Sequence, residues 1–203
     1  MVISQTNQEA ASSQTAANGL APLVALVDEA VALGDDTAIT DKIKTDLCRM
    51  IRGNEFELPV AVMSPLPDRY ARRLLHRDEE RGYSIVAMTW GPCQSTPIHD
   101  HAGMWCVEGV CAGTIDVLQF ELMEQDGDER YRFEPRNSYM AGIGSAGCLI
   151  PPYEYHLISN PCDRSPAVSL HIYGGDMTQC QVFVKEGDSQ WHHSVMKPLS
   201  FDP

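Results

Sequence analysis

The sequence contains no apolar run long enough to cross a membrane, and it has few basic residues. A membrane helix needs about 20 consecutive apolar residues, and no segment of this chain approaches that length. Lys and Arg number 15 against 28 Asp and Glu, which gives a formal charge of −13. Nonspecific nucleic-acid binding needs cations that neutralise phosphates, and anionic membranes attract basic rather than acidic surfaces. We therefore expect neither a nucleic-acid partner nor a membrane partner.

The seven cysteines never form a CxxC pair, which argues against a zinc ribbon or a thioredoxin-like motif. The first residues show neither the basic region nor the apolar region of a secretory signal, so no export is expected. Thiols stay reduced in a reducing compartment. We therefore expect a cytoplasmic protein whose cysteines mostly act as small buried apolar residues.

The length of 203 residues suits one domain in which helices precede strands. Residues 1–19 are polar and rich in Gln, Ser, Ala and Asn, and we expect them to be disordered. Residues 20–80 predict a helical part packed on the rest of the domain. Apolar periodicity indicates a helix that ends at Gly34 and a second helix over about 40–51. A short third helix is expected after Pro67.

Residues 81–203 predict a β-domain. After a segment rich in β-branched and aromatic residues, short apolar stretches alternate with Gly, Pro and Asn turns. Strands are expected near 83–90, 97–101, 105–111, 114–122, 130–134, 138–141, 147–150, 155–159, 167–173 and 180–184, with the tail from 191 as a loop or edge strand. Many short strands at even spacing are typical of a sandwich or a small barrel. We therefore predict a mostly β fold.

The strongest local motif is Pro97-Ile98-His99-Asp100-His101. Side chains at positions i and i+2 of a strand point to the same face, so His99 and His101 can aim two imidazoles at one point, as adjacent metal ligands do. Two polar side chains on a solvated strand are the alternative interpretation. The spacing alone permits zinc with an activated water as well as iron.

This motif lies within a longer pattern that resembles the cupin superfamily. In that pattern a Glu and then a Gly follow the HxH motif, and a later His is followed four residues on by Asn. Gly113 fits the first motif, and His156 and Asn160 fit the end of the second. Cys106 occupies the position of the Glu, and Tyr153 stands where the second motif has a Gly.

The cysteine in place of that Glu narrows the resemblance to the cysteine dioxygenase, or thiol dioxygenase, family. The matching residues run in order from Tyr70 to Phe183. They are Tyr70-Ala71-Arg72, Trp90-Gly91, His99-Asp100-His101, Cys106, His156, Ser169-Leu170-His171-Ile172-Tyr173 and Cys180. One fragment alone would be weak, but their common order is specific. The resemblance implies a cupin-type, jelly-roll-like β-barrel with two or three N-terminal α-helices.

The resemblance also implies an Fe(2+) centre held by His99, His101 and His156. Non-haem iron sites more often use two His and one carboxylate. Three neutral imidazoles leave the centre more positive, so a substrate thiolate can supply the anionic ligand. Three positions would remain open, one each for sulfur, an amine and dioxygen.

Arg72 is the candidate for substrate selection, because a guanidinium binds a carboxylate through two parallel hydrogen bonds. In the family, Arg at this place marks enzymes that act on cysteine, and Gln marks relatives that act on 3-mercaptopropionate. Tyr70, His171 and Cys180 are expected to line the same pocket. The neighbouring Arg73 is the alternative, and on a helix it would point about 100° away.

Ser169, His171 and Tyr173 alternate along a predicted strand and so share a face. Buried polar groups are costly unless they are hydrogen-bonded, and a Ser–His–Tyr chain would meet that need and aim the phenol at the metal. A solvated face is the alternative. In the family, the equivalent Tyr can be joined to a Cys by a thioether, and Cys106 and Tyr173 occupy those two positions.

The expected activity is oxidation of L-cysteine to its sulfinate by dioxygen. Gly174-Gly175 replaces a Pro pair of the family, which leaves 3-mercaptopropionate and mercaptosuccinate open as substrates. A non-catalytic cupin module that binds a thiol or a metal, and a zinc or manganese cupin isomerase, are the interpretations from other classes. The pattern leaves the oligomeric state open. His76, His192 and His193 match no site motif and are expected at the surface.

Overall fold

The computed structural model describes residues 19–203. Helix α1 is described over 19–31, α2 covers Asp36–Gly53, and a 3-10 turn follows at Val60–Met63. The strands are β1 Ala71–Asp78, β2 Tyr83–Trp90, β3 Ile98–His99, β4 Cys106–Ala112, β5 Thr114–Asp126, β6 Arg130–Gly142, β7 Ala146–Leu149, β8 His156–Ser159, β9 Ala167–Tyr173, β10 Gln179–Lys185 and β11 Trp191–Pro198. The expected disorder of residues 1–18 lies outside the described residues, and Gly19 is helical.

None of the helices described in residues 19–203 combines the length and the apolar character that a membrane span requires. All seven cysteines lie in this part of the chain, and all are free.

Helix α2 is longer than the predicted segment 40–51 because polar residues cap it. The carboxylate of Asp35 accepts a hydrogen bond from the backbone N–H of Ala38 at 2.9 Å, which satisfies one of the free donors at the helix start. Asn54 ends the helix in the left-handed conformation, with φ 49°. The apolar repeat marked the buried face of the helix but not its capped ends.

The segment after Pro67 is not a helix, so the prediction of a third helix was wrong. It forms β1, which pairs antiparallel with β2 and places Arg72 opposite Met88 and Arg73 opposite Ala87. Arg and Leu favour helices only weakly, and pairing with a fully buried strand outweighs that preference. Arg72 and Arg73 therefore point to opposite faces of a strand, instead of lying about 100° apart on a helix.

Two sheets form the β-domain. The first has the strand order β1-β2-β9-β4-β7, and the second closes into a barrel in the order β10-β11-β6-β5-β8-β3. The tail strand β11 pairs with both β10 and β6, so it is an inner strand and not an edge. The two predicted strands 130–134 and 138–141 are parts of the single long strand β6. The predicted β-barrel with N-terminal helices is confirmed, with two helices among residues 19–203.

The first sheet is covered on both faces, which fixes the residues that point into the barrel. On β9, Leu170 and Ile172 belong to the apolar cluster that includes the helices, together with Leu47 of α2. The alternate residue Tyr173 belongs to a second cluster inside the barrel. At Gly109 on β4, an added Cβ would lie 2.6 Å from Leu47 Cδ2, so glycine lets the helix approach the sheet closely. Because the helices cover one face of β4 and β9, the other face of these strands points toward the candidate site.

Candidate metal centre and adjoining pocket

Three histidines converge at the edge of the barrel. His99 on β3 is directly paired with His156 on β8, and His101 follows β3 in the next turn. One ring nitrogen of each lies within 4.8 Å of the others. The ring centroids of His99 and His156 are 4.4 Å apart, and those of His101 and His156 are 5.0 Å apart. The structure therefore brings together the three side chains that the motif singled out.

Hydrogen bonds on the outer side of the His99 and His156 rings determine which ring nitrogen is available to a metal. Nδ1 of His99 lies 3.2 Å from the carbonyl oxygen of Pro97, and Nδ1 of His156 lies 2.8 Å from that of Glu154. Because a carbonyl only accepts, both Nδ1 atoms carry the proton and donate it. When the rings are neutral, both Nε2 atoms present a lone pair, as is usual for metal-bound histidines whose other nitrogen donates to a carbonyl.

The same site contains most of the buried polar atoms that lack a hydrogen-bond partner. Seven such side-chain atoms occur among residues 19–203. Five of them are His101 Nδ1, His101 Nε2, Glu108 Oε1, His156 Nε2 and His171 Nδ1. Buried polar groups are rarely left unpaired, and a divalent metal ion would satisfy converging lone pairs of this kind. The donor set thus fits the metal that the resemblance implies.

The protonation states of two of the three histidines, His99 and His101, also suit metal binding. Burial, and then the neighbouring imidazole of His156, lower the pKa of His99 to about 3. Burial and the two other histidines hold the pKa of His101 well below its usual value. Both rings are therefore neutral near pH 7, and neutral imidazole is the form that binds a metal.

Glu108 on β4 is a site residue that sequence reasoning did not single out. It lies two residues after Cys106, so strand parity directs both side chains inward; that parity was available in the sequence. Its Oε1 lies 3.2 Å from Nε2 of His156 and 3.1 Å from Nδ1 of His171, and its side chain is 12% exposed. Burial alone would raise the pKa of Glu108, but these two imidazoles hold it well below its usual range. Glu108 is therefore ionised.

The expected Ser–His–Tyr chain is only half present. The hydroxyl of Ser169 lies 2.8 Å from Nε2 of His171 and accepts a hydrogen bond from Nε1 of Trp90 at 2.9 Å. Within residues 19–203, however, no hydrogen bond joins His171 to Tyr173; their rings are stacked with centroids 6.0 Å apart. The other nitrogen of His171 faces Glu108 because β4 and β9 pair these two residues directly.

Cys106 and Tyr173 are direct partners on β4 and β9. Directly opposite residues of antiparallel strands have Cβ atoms about 4.5–5.5 Å apart. Both are buried, and the Tyr173 ring centroid lies 5.8 Å from that of His101. Burial is the first cause that raises the pKa of both the thiol and the phenol well above their usual values. Both groups are thus protonated near pH 7.

Arg72 lies in a small pocket beside the histidines. Tyr70, His171, Tyr173 and Cys180 line it together with His99 and other residues. Its volume of about 20 Å³ is close to the space that one water occupies. Burial raises the pKa of Cys180 to about 11, so its thiol is neutral there. All the residues expected at the substrate pocket are thus neighbours in the structure.

The two arginines have different partners. The guanidinium of Arg72 donates to the carbonyl oxygens of Met177 at 3.0 Å and Ser200 at 3.3 Å. That of Arg73 donates to the carbonyl oxygens of Ser64 at 2.9 Å and Pro203 at 2.8 Å. Arg72 lines the pocket, whereas Arg73, on the opposite face of β1, connects the segments that contain Ser64 and Pro203.

The cysteine dioxygenase type I family model matches residues 8–186 of the sequence. This chain belongs to the cysteine dioxygenase type I family. The sequence is 25% identical to zebrafish cysteine dioxygenase type 1 over 130 residues, which is 64% of this chain and 61% of the zebrafish protein. It is 23% identical to the human protein over 115 residues, which is 57% of this chain and 56% of the human protein.

The chain thus matches about 60% of the length of these cysteine dioxygenases. Among solved structures, TT1209 from Thermus thermophilus superposes with a TM-score of 0.43 at 18% identity, covering 59% of this chain and 95% of that protein. The match to the family agrees with the resemblance carried by the histidines, Cys106 and Tyr173.

A larger cavity lies on the other side of Glu108 and His171. Its volume is about 500 Å³, and Glu108, His171 and Lys44 are among the residues that line it. It extends to the exposed side chains of Tyr139 and Met140. Glu108, which lines this cavity, also contacts His156, and His171 lines both this cavity and the Arg72 pocket.

Proposed function

We propose that this chain is a thiol dioxygenase that oxidises L-cysteine to cysteine sulfinate at a ferrous ion, with both atoms of dioxygen entering the sulfur. The main supporting observation is that His99, His101 and His156 converge beside a pocket that contains Arg72. Membership in the cysteine dioxygenase family supports this chemistry. His99, His101 and His156 would hold the ion, which when bound would orient thiolate and dioxygen next to each other.

Arg72 would bind the substrate carboxylate. Two of the five N–H donors of its guanidinium already bind the carbonyl oxygens of Met177 and Ser200, which hold the group in one orientation. Among residues 19–203 the other donors of this guanidinium form no hydrogen bond, so they are available to a carboxylate in the pocket. Phe201, whose ring centroid lies 5.0 Å from the guanidinium carbon, supports the group by a cation–π contact.

Oxygen uptake by iron-loaded protein tests the function. L-cysteine is expected to consume one dioxygen per sulfinate formed, and cysteamine little, because it lacks the carboxylate that Arg72 would bind. 3-Mercaptopropionate and mercaptosuccinate complete the panel, with sulfinate measured by mass spectrometry. Faster turnover of either acid than of cysteine would reassign the substrate within the same reaction. No uptake with any of the four thiols would favour a non-catalytic binding module.

Metal analysis of protein purified without added metal separates the proposed enzyme from a zinc or manganese isomerase. Iron is expected as the dominant metal, at a content that follows oxygen uptake from one preparation to the next. Activity that follows zinc or manganese instead would contradict the proposal.

Cys106 and Tyr173 are expected to form a thioether during turnover. Sγ of Cys106 would bond to a ring carbon of Tyr173, and the two protons and two electrons released would pass to dioxygen. Their direct pairing across β4 and β9 supports this. Intact mass after reduction should show a species two hydrogens lighter than the sequence, which accumulates with exposure to cysteine and oxygen.

Cys180→Ser is the matched control, since Cys180 is the only other buried cysteine and lies in the neighbouring Arg72 pocket. It should retain the lighter species, whereas Cys106→Ser and Tyr173→Phe should each lose it. Peptide mapping of turned-over protein that finds only free Cys106 and unmodified Tyr173 would disprove the cross-link and leave the metal proposal intact.

A further inference from the structure

The segment 199–202 follows β11 and lies along the outer edge of β1. Because β1 is the first strand of its sheet, only one of its edges pairs with another strand. On the other edge, the backbone N–H of Asp202 donates to the carbonyl oxygen of Arg72 at 2.6 Å, and the backbone N–H of Arg72 donates to Oδ2 of Asp202 at 2.9 Å. Asp202 therefore satisfies both backbone polar groups of Arg72.

The carboxylate of Asp202 is itself held by Arg69. Nη2 of Arg69 donates to Oδ1 at 2.6 Å and Nη1 donates to Oδ2 at 2.9 Å, which is the two-pronged geometry of a strong ion pair. The hydrogen bonds from Arg69 lower the pKa of Asp202, so the carboxylate is ionised near pH 7. Its negative charge is thus paired with Arg69 and not with the guanidinium of Arg72.

The residues just before Asp202 contact the Arg72 side chain or its pocket. The carbonyl oxygen of Ser200 accepts a hydrogen bond from the guanidinium, and the ring of Phe201 packs against it with a centroid 5.0 Å from Cζ. Leu199 lines the pocket, and its backbone N–H donates to the carbonyl oxygen of Thr178 at 2.7 Å. Four consecutive residues therefore contact Arg72 or line its pocket.

All these contacts leave the charge of Arg72 without a counter-ion. The partners of its guanidinium are the carbonyl oxygens of Met177 and Ser200 and the ring of Phe201, which are all neutral. Arg72 is only 4% exposed, and among residues 19–203 no carboxylate forms an ion pair with it. A buried charge is costly unless it is paired. The segment thus orients the guanidinium and leaves it able to attract an anionic group.

We propose that the segment 199–202 orients Arg72 for the substrate carboxylate, and that Asp202 is the positioning residue that fixes this segment to β1. The inference rests on the role of Arg72 in the proposed function. It adds a determinant of substrate affinity that lies 130 positions from Arg72 in the sequence. A thiol without a carboxylate gains nothing from an oriented guanidinium, so the segment should act on thiol carboxylates only.

Steady-state kinetics of iron-loaded Asp202→Ala test this proposal. The variant should lower kcat/KM for L-cysteine about 10- to 100-fold, mainly through KM, because a displaced positioning group can cost about 100-fold. For cysteamine, which has no carboxylate, kcat/KM should change by less than about twofold. Asp78→Ala is the matched control, since Asp78 on β1 also accepts from a backbone N–H and a guanidinium, both of Arg81. It should match the unmodified chain with both thiols.

A double-mutant cycle with Arg72→Gln separates positioning from a general loss of stability. Residues that act through one another have non-additive effects. If Asp202 acts through Arg72, Asp202→Ala should cause no further loss of kcat/KM for cysteine in a chain that already carries Arg72→Gln. A further loss of tenfold or more in that background would show that Asp202 acts through the fold, and it would overturn the proposal.

Other results would also overturn it. Unchanged kcat/KM for cysteine in Asp202→Ala, together with a large loss in Arg72→Gln, would disprove the positioning role and leave the proposed function intact. Equal losses with cysteine and cysteamine would disprove it as well. An unmodified chain that oxidises neither thiol would disprove the proposed function and this inference together.

Circular dichroism checks the folding of each variant. If Asp202→Ala does not fold, Phe201→Leu takes its place, because it removes the ring face from Arg72 and keeps an apolar side chain. A lost cation–π contact should lower kcat/KM for cysteine about two- to fivefold and leave the value for cysteamine unchanged. An unchanged value for cysteine in Phe201→Leu would then overturn the proposal.

Discussion

Replacing His156 by alanine is expected to abolish both metal retention and oxygen consumption with cysteine. The side chain is fully buried, its Nδ1 is committed to the carbonyl of Glu154, and its Nε2 faces the other two histidines. Two imidazoles without the third hold a divalent ion poorly. Metal content per chain and oxygen uptake are the measurements, with thermal unfolding of the metal-free protein as a check on folding.

His193→Ala is the control, because His193 is exposed on β11 and lies outside the metal site. It should leave metal content and turnover unchanged. Full metal occupancy and full activity in His156→Ala would show that the three-histidine assignment is wrong.

Arg72→Gln is expected to lower kcat/KM for cysteine by about 10- to 1,000-fold. Loss of a charge-assisted pair that leaves the substrate carboxylate poorly matched costs on the order of 2–4 kcal/mol, which corresponds to that range of rate constants. The fall should appear in steady-state kinetics with cysteine. It should be small with cysteamine, which has no carboxylate to lose.

Arg73→Gln provides a matched comparison on the next residue of β1. Arg73 binds backbone carbonyls at Ser64 and Pro203 and the hydroxyl of Thr89, so its loss should lower the unfolding temperature. It should reduce kcat/KM much less than Arg72→Gln does. Equal losses of kcat/KM in the two variants would contradict the assignment of Arg72 to the substrate.

The local sequence pattern was enough to predict much of the fold and the residue types of the candidate site. The composition of 83–90 and the alternation in 167–173 predicted β2 and β9 with the bounds found in the structure. The helical prediction after Pro67 failed because pairing with β2 decides that segment, and pairing is not visible in the local composition. The alternation of side chains along the strand predicted that His171 points inward. Only the register of β4 against β9 shows that it lies opposite Glu108 and not beside the Tyr173 hydroxyl.

The glycine pair after Tyr173 also has a reason that only the fold reveals. A Cβ at Gly174 would lie 2.4 Å from Nε1 of Trp105, and one at Gly175 would lie 2.6 Å from Sδ of Met104. The turn that follows His101 packs directly on this backbone. Gly174-Gly175 therefore makes room for that turn.

The placement of the site on two sheets divides it into two halves. His99 and His156 belong to short strands of the second sheet, whereas Arg72 lies on β1 and Glu108 on β4 of the first sheet. The helices pack against the first sheet, which contains Arg72 and Glu108. His99 and His156 lie on a two-residue and a four-residue strand of the second sheet. The proposed metal ligands thus belong to the second sheet and Arg72 to the first, so the alignment of metal and substrate groups is set by how the two sheets lie against each other.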